Sequence, residues 1–356
     1  MLLKHLLLRS FRNYTEATVP FHKGINVIQG ENGAGKTSLL EAIFLLSTGR
    51  SFRTTHLGDL IKKDASHFFI EAHFERDGVE QMLSMGYDGK NRRIHYNTTH
   101  FPSFSNVLGI LPSVLYAPKD SELISGSPAD RRRFLNIQLA QTDPFYVHHL
   151  TRYHKAMKHR NALLKKKSEE AIESFEQMMA DSARYLMNKR DQLIESLKPR
   201  LKAHAQKLSS EADTFDLFYE PSISMKRKEG IEHLYTKQRA KELIIGTTLM
   251  GPHRDDFLIT YNTKEAKSYA SEGQKRTCIA ALKMAEWFEV KERSEALPIL
   301  SIDDFAVHLD PKRTLSLQKM MENFGQVFLT TPFPDEIPEA HTLHLEGGTL
   351  CSGLSV

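Results

Sequence analysis

An α/β fold interrupted by a long helical insertion is what three features of this 356-residue sequence predict. Short apolar runs bounded by turn residues occur near both ends, at 2–8, 25–28 and 68–74 and again at 257–261, 299–302 and 327–329. The middle, from Ser127 to about Ser210, has almost no Pro or Gly after Pro128 and is dominated by Leu, Met, Lys, Glu and Gln. A glycine-rich string at 30–37 stands between a strand pattern and a helix pattern, the setting in which such strings cradle phosphates.

The elements follow in order. Leu2 to Leu8 and Ile25 to Ile28 read as strands, and Leu39, Leu40, Ile43, Phe44 and Leu46 fall at helical spacing over 38–46. Phe68 to Phe74 is a third strand, and Gly78 and Asp88-Gly89 punctuate a meander through Arg92 to Tyr96. Ser127 can cap the helical middle, Pro128 suits a first helical position, and Asp130 completes a capping box. Few breaks are expected there before Pro199. After it come a strand at 257–261, a helix from Glu272 to Arg293, and buried strands at 299–302 and 327–329. The predicted organisation is a head made of 1–110 and 241–356, split by a mainly helical second domain at 111–240.

Composition excludes several classes. With 40% hydrophobic and 26% charged residues, disorder, collagen-like repeats and a disulfide-built scaffold are ruled out. Cys278 and Cys351 have no CxxC partner, no apolar run reaches a membrane span, and residues 1–9 do not form a signal peptide, which together suggest a cytoplasmic protein. The formal charge of +4 decides little by itself, but residues 150–208 hold 14 Lys/Arg against 7 Asp/Glu. The helical segment is basic and the rest of the chain slightly acidic.

Gly30-Glu31-Asn32-Gly33-Ala34-Gly35-Lys36-Thr37 fits the phosphate loop G-x-x-x-x-G-K-[ST] without mismatch, with Ser38 next on the helix. Glycines let backbone N–H groups turn inward, Lys36 reaches β and γ phosphates, and Thr37 offers a hydroxyl to Mg2+. Pro298 to Asp304 supplies an apolar strand ending in two acids, Asp303 to hold the metal and Asp304 to polarise an attacking water. Lys36 and Asp303 lie 267 positions apart, so the sheet that joins them must tolerate the insertion. Ser271-Glu272-Gly273-Gln274 opens a helix 32 residues before Asp303, where a hydroxyl, backbone donors and the helix dipole can meet a phosphate.

These strings, in this order with Leu8 to Tyr14, Thr48 to Arg53, Gly126 to Leu135 and Gly251 to Asp256, resemble the RecF family of bacterial recombination mediators, relatives of SMC and Rad50 heads. The resemblance implies an ABC-type P-loop ATPase head that binds ATP and Mg2+, dimerises on ATP, binds DNA as duplex or single-strand/double-strand junction, and works with RecR, RecO and RecA. It also implies catalytic roles for Lys36, Asp304 and Ser271, metal roles for Thr37 and Asp303, and a nucleotide contact in trans through Ser271, Gly273 and Gln274. The chain departs from the family at Val307-His308, where a Ser-Glu pair is usual, and at Lys119, where a Glu is usual.

Softer signals concern DNA. Arg50 and Arg53 follow the phosphate-loop helix closely enough to return toward the nucleotide or a DNA backbone. Arg131, Arg132 and Arg133 fall on three sides of one helix turn, and Lys165, Lys166 and Lys167 form a charge run; each is a candidate DNA contact or a solvated face. Sparse aromatics in this segment favour duplex over single strands there. His148, His149, His154 and His159 do not share a helix face and are not expected to bind metal. His253 is expected in a hydrogen-bonded turn, and Trp287 in the core. The rival functions are an SMC-like clamp that scarcely hydrolyses ATP and a P-loop transferase acting on a small molecule.

Overall fold

The computed structural model describes residues 1–209, 213–224, 230–294, 296–305, 311–331, 337 and 339–351. In chain order the head begins with β1 (Leu2–Phe11), β2 (Tyr14–Pro20), β3 (Gly24–Gln29) and α1 (Lys36–Thr48). It continues through the meander β4 (Phe68–Arg76), β5 (Val79–Tyr87), β6 (Arg92–Tyr96) and β7 (Thr99–Phe101) to β8 (Ser113–Tyr116). Next come α2 (Glu122–Ser125), α3 (Pro128–Thr142), α4 (Pro144–Lys165), α5 (Ile172–Ser209), β9 (Phe215–Glu220) and α6 (Ile231–Ile245). Then follow β10 (Asp256–Tyr261), β11 (Lys264–Glu265), α7 (Ala266–Tyr269), α8 (Glu272–Arg293), β12 (Ile299–Ile302), α9 (Pro311–Met321), β13 (Gln326–Thr331), β14 (His341–Glu346) and β15 (Thr349–Cys351).

Three sheets organise these elements. One is antiparallel, in the order β2-β1-β4-β5-β6-β7. The second runs β15-β14-β3-β13-β12-β8, parallel throughout except at its β15 edge. Helix α1 lies between the two, which is why nearly all of its faces are buried; an apolar stripe on one face is not enough for a helix covered from both sides. Leu39, Leu40, Ile43 and Leu46 share a core with Leu6, Ile70, Ile28 and Phe328. The other face of the parallel sheet is covered by α8, whose Trp287 is fully buried and donates its indole N–H to Pro298 O at 2.8 Å.

Two expected boundaries move. Residues 113–116, expected at the start of the insertion, form a strand paired with β12 in the head sheet, because the insertion leaves only after that strand has crossed the sheet. Residues 256–261, expected in the head, pair instead with β9 and β11 in a separate small sheet that packs beside the helices. Pro199 does not end its helix. It sits inside α5, where Leu193, Leu197, Leu201 and Leu208 on either side stay buried, and this packing outweighs the lost backbone bond.

The helices are tied to the small sheet by charged groups. Arg190 on α5 is buried and donates to Tyr146 Oη at 3.0 Å, Asn136 Oδ1 at 3.0 Å, Pro252 O at 2.6 Å and Asp255 Oδ2 at 2.9 Å. Burial works against its charge, yet Tyr146, Tyr219 and Asp255 hold it above the ordinary arginine value. Arg160 is likewise enclosed between Glu176 at 2.9 Å and Glu242 at 2.6 Å.

Candidate nucleotide site

Residues 30–37 leave the C-terminal end of β3 and enter α1, so the loop sits at the carboxyl edge of a parallel sheet, where α/β folds bind ligands. Gly33 (φ 85°) and Gly35 (φ 110°) take left-handed conformations that reverse the chain ahead of the helix. A Cβ on Gly35 would come within 2.8 Å of the Tyr14 hydroxyl, which donates to Gly35 O at 3.0 Å. Behind the loop, Gly348 N–H donates to Ala34 O at 3.0 Å, so the β14–β15 turn braces it. The first-turn N–H groups of Lys36, Thr37 and Ser38 belong to a helix start, where such donors have no carbonyl one turn back. Lys36 Nζ donates to Gly30 O at 2.7 Å and Glu31 O at 2.9 Å, which holds the ammonium inside the curve of the loop.

The sheet order brings the acids to this loop. Strand β13 lies between β3 and β12, and Asp303 follows β12 at the same carboxyl edge. Thr37 Oγ1 donates to Asp303 Oδ1 at 2.9 Å, closing a gap of 266 positions in the chain. Thr330 on β13 is buried and also donates to Asp303 Oδ1, at 2.7 Å, while its oxygen accepts the Asp304 N–H at 2.8 Å. Asp304 takes a left-handed backbone (φ 56°), a conformation that a short acidic side chain tolerates better than a branched one. Burial raises the Asp303 carboxyl above its usual value, with the Asp304 charge adding to it; the Thr330 and Thr37 hydroxyls and the more distant Arg53 oppose the rise.

Lys36, Thr37, Ser38 and Asp304 line one cleft of about 690 Å3 with Gly33, Gly35 and Asn32. Arg12 and Arg53 enter it as well. Arg12 grips the buried Glu41 of α1 with two hydrogen bonds of 2.8 and 2.7 Å, and Arg53 approaches the same carboxylate at 3.6 Å. Arg12 lay within a string that carried the family resemblance, but no sequence pattern marked it as facing the loop. Thr330 had no signal at all, being one threonine in a buried strand.

The donor set fits a hard cation bound with phosphates. One hydroxyl and one carboxylate meet at hydrogen-bonding distance, and Mg2+ takes one or two carboxylates and completes its shell with phosphate and water oxygens. Among the described residues no group of three or more His, Cys, Asp or Glu converges on a metal-binding point, the four histidines of α4 included.

The remaining candidates lie elsewhere. Ser271 caps α8, accepting from Gln274 N–H at 3.3 Å and donating its own N–H to Gln274 Oε1 at 2.8 Å. Gln274 also donates to Tyr261 Oη at 2.6 Å, and a Cβ on Gly273 would lie 3.1 Å from Arg313. None of Ser271, Gly273 and Gln274 lines the cleft of the same chain. His253 is half-buried in a turn, as expected, bonded to Tyr153 Oη at 2.7 Å and Thr248 O at 3.1 Å, and desolvation pushes its imidazole down to about 4.

Residues 2–344 match the model of the RecF/RecN/SMC N terminal domain. A DNA replication and repair protein RecF from Protochlamydia amoebophila is 44% identical over 341 residues, spanning 94% of this chain and 95% of the relative. The chain belongs to the RecF family. The RecF protein of Halalkalibacterium halodurans is 34% identical, with 98% and 99% of the two chains covered. A solved RecF–ATP structure from the RecFOR pathway superposes with a TM-score of 0.90 at 30% identity, covering 98% of this chain and 97% of that one. An SMC head from Pyrococcus furiosus, at 16% identity and a TM-score of 0.57, shares the ABC-type head fold alone.

The DNA candidates of this RecF-family chain separate. Arg131 is committed to Asp256 through bonds of 2.6 and 2.8 Å, so its guanidinium holds α3 to β10 and is not offered to an outside phosphate. Arg50 and Arg53, expected together, diverge: Arg53 joins the nucleotide cleft and Arg50 lines a different one. Arg132 donates to Asp255 O at 2.8 Å and faces the cleft of Arg50. Lys165, Lys166 and Lys167 are exposed at the turn between α4 and α5. Lys119 is exposed too, and the departure at Val307-His308 lies outside the described residues. No helix among the described residues is long and apolar enough to cross a membrane.

Proposed function

We propose that this chain is an ATP-dependent DNA-binding protein of recombinational repair and replication-gap processing, which closes into a dimer on ATP and hydrolyses it slowly. The observation that carries the proposal is the meeting of Thr37 and Asp303 at 2.9 Å beside the glycine loop, with Asp304 lining the same cleft. The solved RecF structure bearing ATP supports the choice of nucleotide.

In this mechanism the loop of residues 30–38 binds the phosphates through backbone N–H groups, and Lys36 moves its ammonium from the loop carbonyls to the γ-phosphate. Thr37 and Asp303 would hold Mg2+, and the ion would supply charge neutralisation to the phosphoryl group. Asp304 orients the attacking water and takes its proton. Ser271, with the start of α8, meets the γ-phosphate held by a second copy. Its absence from its own chain's cleft and its position on an exposed helix start are what support a role in trans. The mainly helical domain presents Lys165 to Lys167 to DNA, and RecR, RecO and RecA are the partners that the family assignment suggests for loading recombinase.

Sedimentation and ATP turnover with and without duplex DNA test this. Wild type should dimerise on Mg-ATP and bind DNA with steep salt dependence, while Lys36→Ala and Ser271→Arg stay monomeric. Monomers at saturating ATP would overturn the proposal. Dimers without turnover would replace it with a non-hydrolytic clamp, and rapid turnover on a small acceptor without DNA with a transferase.

A further inference from the structure

Glu41 lies on α1 one helical turn after Thr37 and on the same face, yet it does not line the nucleotide cleft. Its side chain is fully buried, among neighbours such as Leu39, Leu40, Ala42 and Ile43 that fill the core between the two sheets. A carboxylate in such a place is costly unless it is paired and hydrogen-bonded. The partners of Glu41 come from two segments outside the helix. Arg12, in the turn between β1 and β2, donates from Nε at 2.8 Å and from Nη2 at 2.7 Å. From the segment after α1, the Ser51 hydroxyl donates to Oε1 and the Arg53 guanidinium approaches Oε2 at 3.6 Å. Both arginines line the nucleotide cleft, and among the described residues neither pairs with another carboxylate.

Each arginine is placed by more than its charge. Arg12 takes a left-handed backbone (φ 54°), a conformation that is costly for a long side chain and that persists where surrounding contacts enforce it. Its remaining guanidinium nitrogen, Nη1, donates to Asp59 O at 2.8 Å, so all three nitrogens are fixed. Ser51 Oγ, besides donating to Glu41, accepts the Arg53 N–H at 2.9 Å and the Thr54 N–H at 3.1 Å. One carboxylate thus orients one guanidinium directly and, through Ser51, fixes the backbone from which the other leaves. The Arg12 side chain is 18% exposed and that of Arg53 46%, so Arg53 keeps the freedom to turn from Glu41 to a ligand.

Two cations sharing one anion leave a net positive charge on the cleft wall, which suits a polyphosphate. We infer that Glu41 is a positioning residue for the nucleotide: through Arg12 and Arg53 it aims two guanidinium groups at the phosphates held by residues 30–37. The inference rests on the nucleotide site proposed above and adds to it a residue that touches no ligand. The sign of its effect separates aiming from simple charge. Acting through its field alone, Glu41 would repel a polyphosphate, and replacing it by a neutral residue would tighten ATP binding. Acting by aiming the arginines, the same replacement weakens it.

Titration calorimetry of Mg-ATP into the full-length protein, with urea unfolding of each variant, tests this. Glu41→Gln should weaken ATP binding by about tenfold or more, as expected for misplacing a charge-assisted hydrogen bond, and should keep the Mg2+ requirement because Thr37 and Asp303 are untouched. Adding Arg12→Gln replaces the buried ion pair by two amides, so the urea midpoint should return toward wild type while ATP affinity stays low. Ser51→Ala leaves the Arg12–Glu41 pair intact and loosens Arg53 alone, so it should weaken ATP binding by a smaller factor, about threefold. Unchanged or tighter binding in Glu41→Gln overturns the inference. Recovery of affinity together with stability in the double variant would reduce Glu41 to a structural strap and also overturn it. Should Glu41→Gln fail to fold, unchanged affinity in Ser51→Ala decides against it. Wild type that binds no Mg-ATP would sink the nucleotide site itself.

Discussion

The nucleotide cleft and the junction of the helical domain are both built from buried or half-buried charges, yet they treat them in opposite ways. At the junction Arg190 meets four acceptors, and Asp255 in turn accepts from Arg190, from Tyr219 and from Ser222 N–H at 2.9 Å. In the cleft Lys36 has only loop carbonyls, and Asp304 is fixed through its backbone N–H. A saturated charge is committed to architecture, whereas a charge with spare hydrogen-bonding capacity is free to meet a ligand. The same contrast separates Arg131, committed to the Asp256 carboxylate, from Arg132, which meets the carbonyl of Asp255.

The largest effect should come from breaking the saturated region. Arg190→Met leaves Asp255 buried without its cation and should cost about 3–5 kcal/mol in urea unfolding. A cost under about 1 kcal/mol would mean that the network is dispensable and the contrast false. A smaller effect is expected from Thr330→Val, which removes the hydroxyl joining the two acids. It should cost about 1 kcal/mol of stability and raise the Mg2+ concentration needed for nucleotide binding, whereas Thr330→Ser should restore that requirement. Equal Mg2+ dependence in all three proteins would deny Thr330 its positioning role.

The finest test uses pH. Asp303 must be ionised to hold a cation, and its carboxyl is raised, so Mg-ATP affinity should begin to fall on acidification above the ordinary aspartate value of 3.8. Without ligand the same group acts with the opposite sign. The folded state keeps this proton to higher pH than the unfolded chain, so its stabilising contribution is full below the unfolded value and lost as pH rises through the raised one. Titration calorimetry over this range should show proton release on Mg-ATP binding; none would indicate that Asp303 is already ionised throughout.

What could be read from sequence was what is contiguous. The glycine loop, the two acids after a buried strand and the capped start of α8 each announce themselves within eight residues, because local backbone geometry demands particular residue types there. Groups assembled by the sheet were not legible. Thr330 reaches Asp303 only because β13 lies beside β12, and Arg131 reaches Asp256 only because α3 packs on β10. Strand β8 was hidden for a similar reason: a serine and three apolar residues ahead of a helical region carry no mark of the sheet they join. The arginine triplet shows the limit of charge patterns, since its three neighbours do different work according to which carboxylate or carbonyl each one meets.

The central claim is that residues 36–37 and 303–304 form one metal–nucleotide site. Titration of ATP into the full-length protein, with Mg2+ and with a chelator, tests it most directly. Wild type should bind tightly only with Mg2+, Asp303→Asn should lose that difference, and Lys36→Ala should bind weakly under both conditions while unfolding at the same urea concentration as wild type. ATP affinity and Mg2+ dependence unchanged in Asp303→Asn and Lys36→Ala would contradict it.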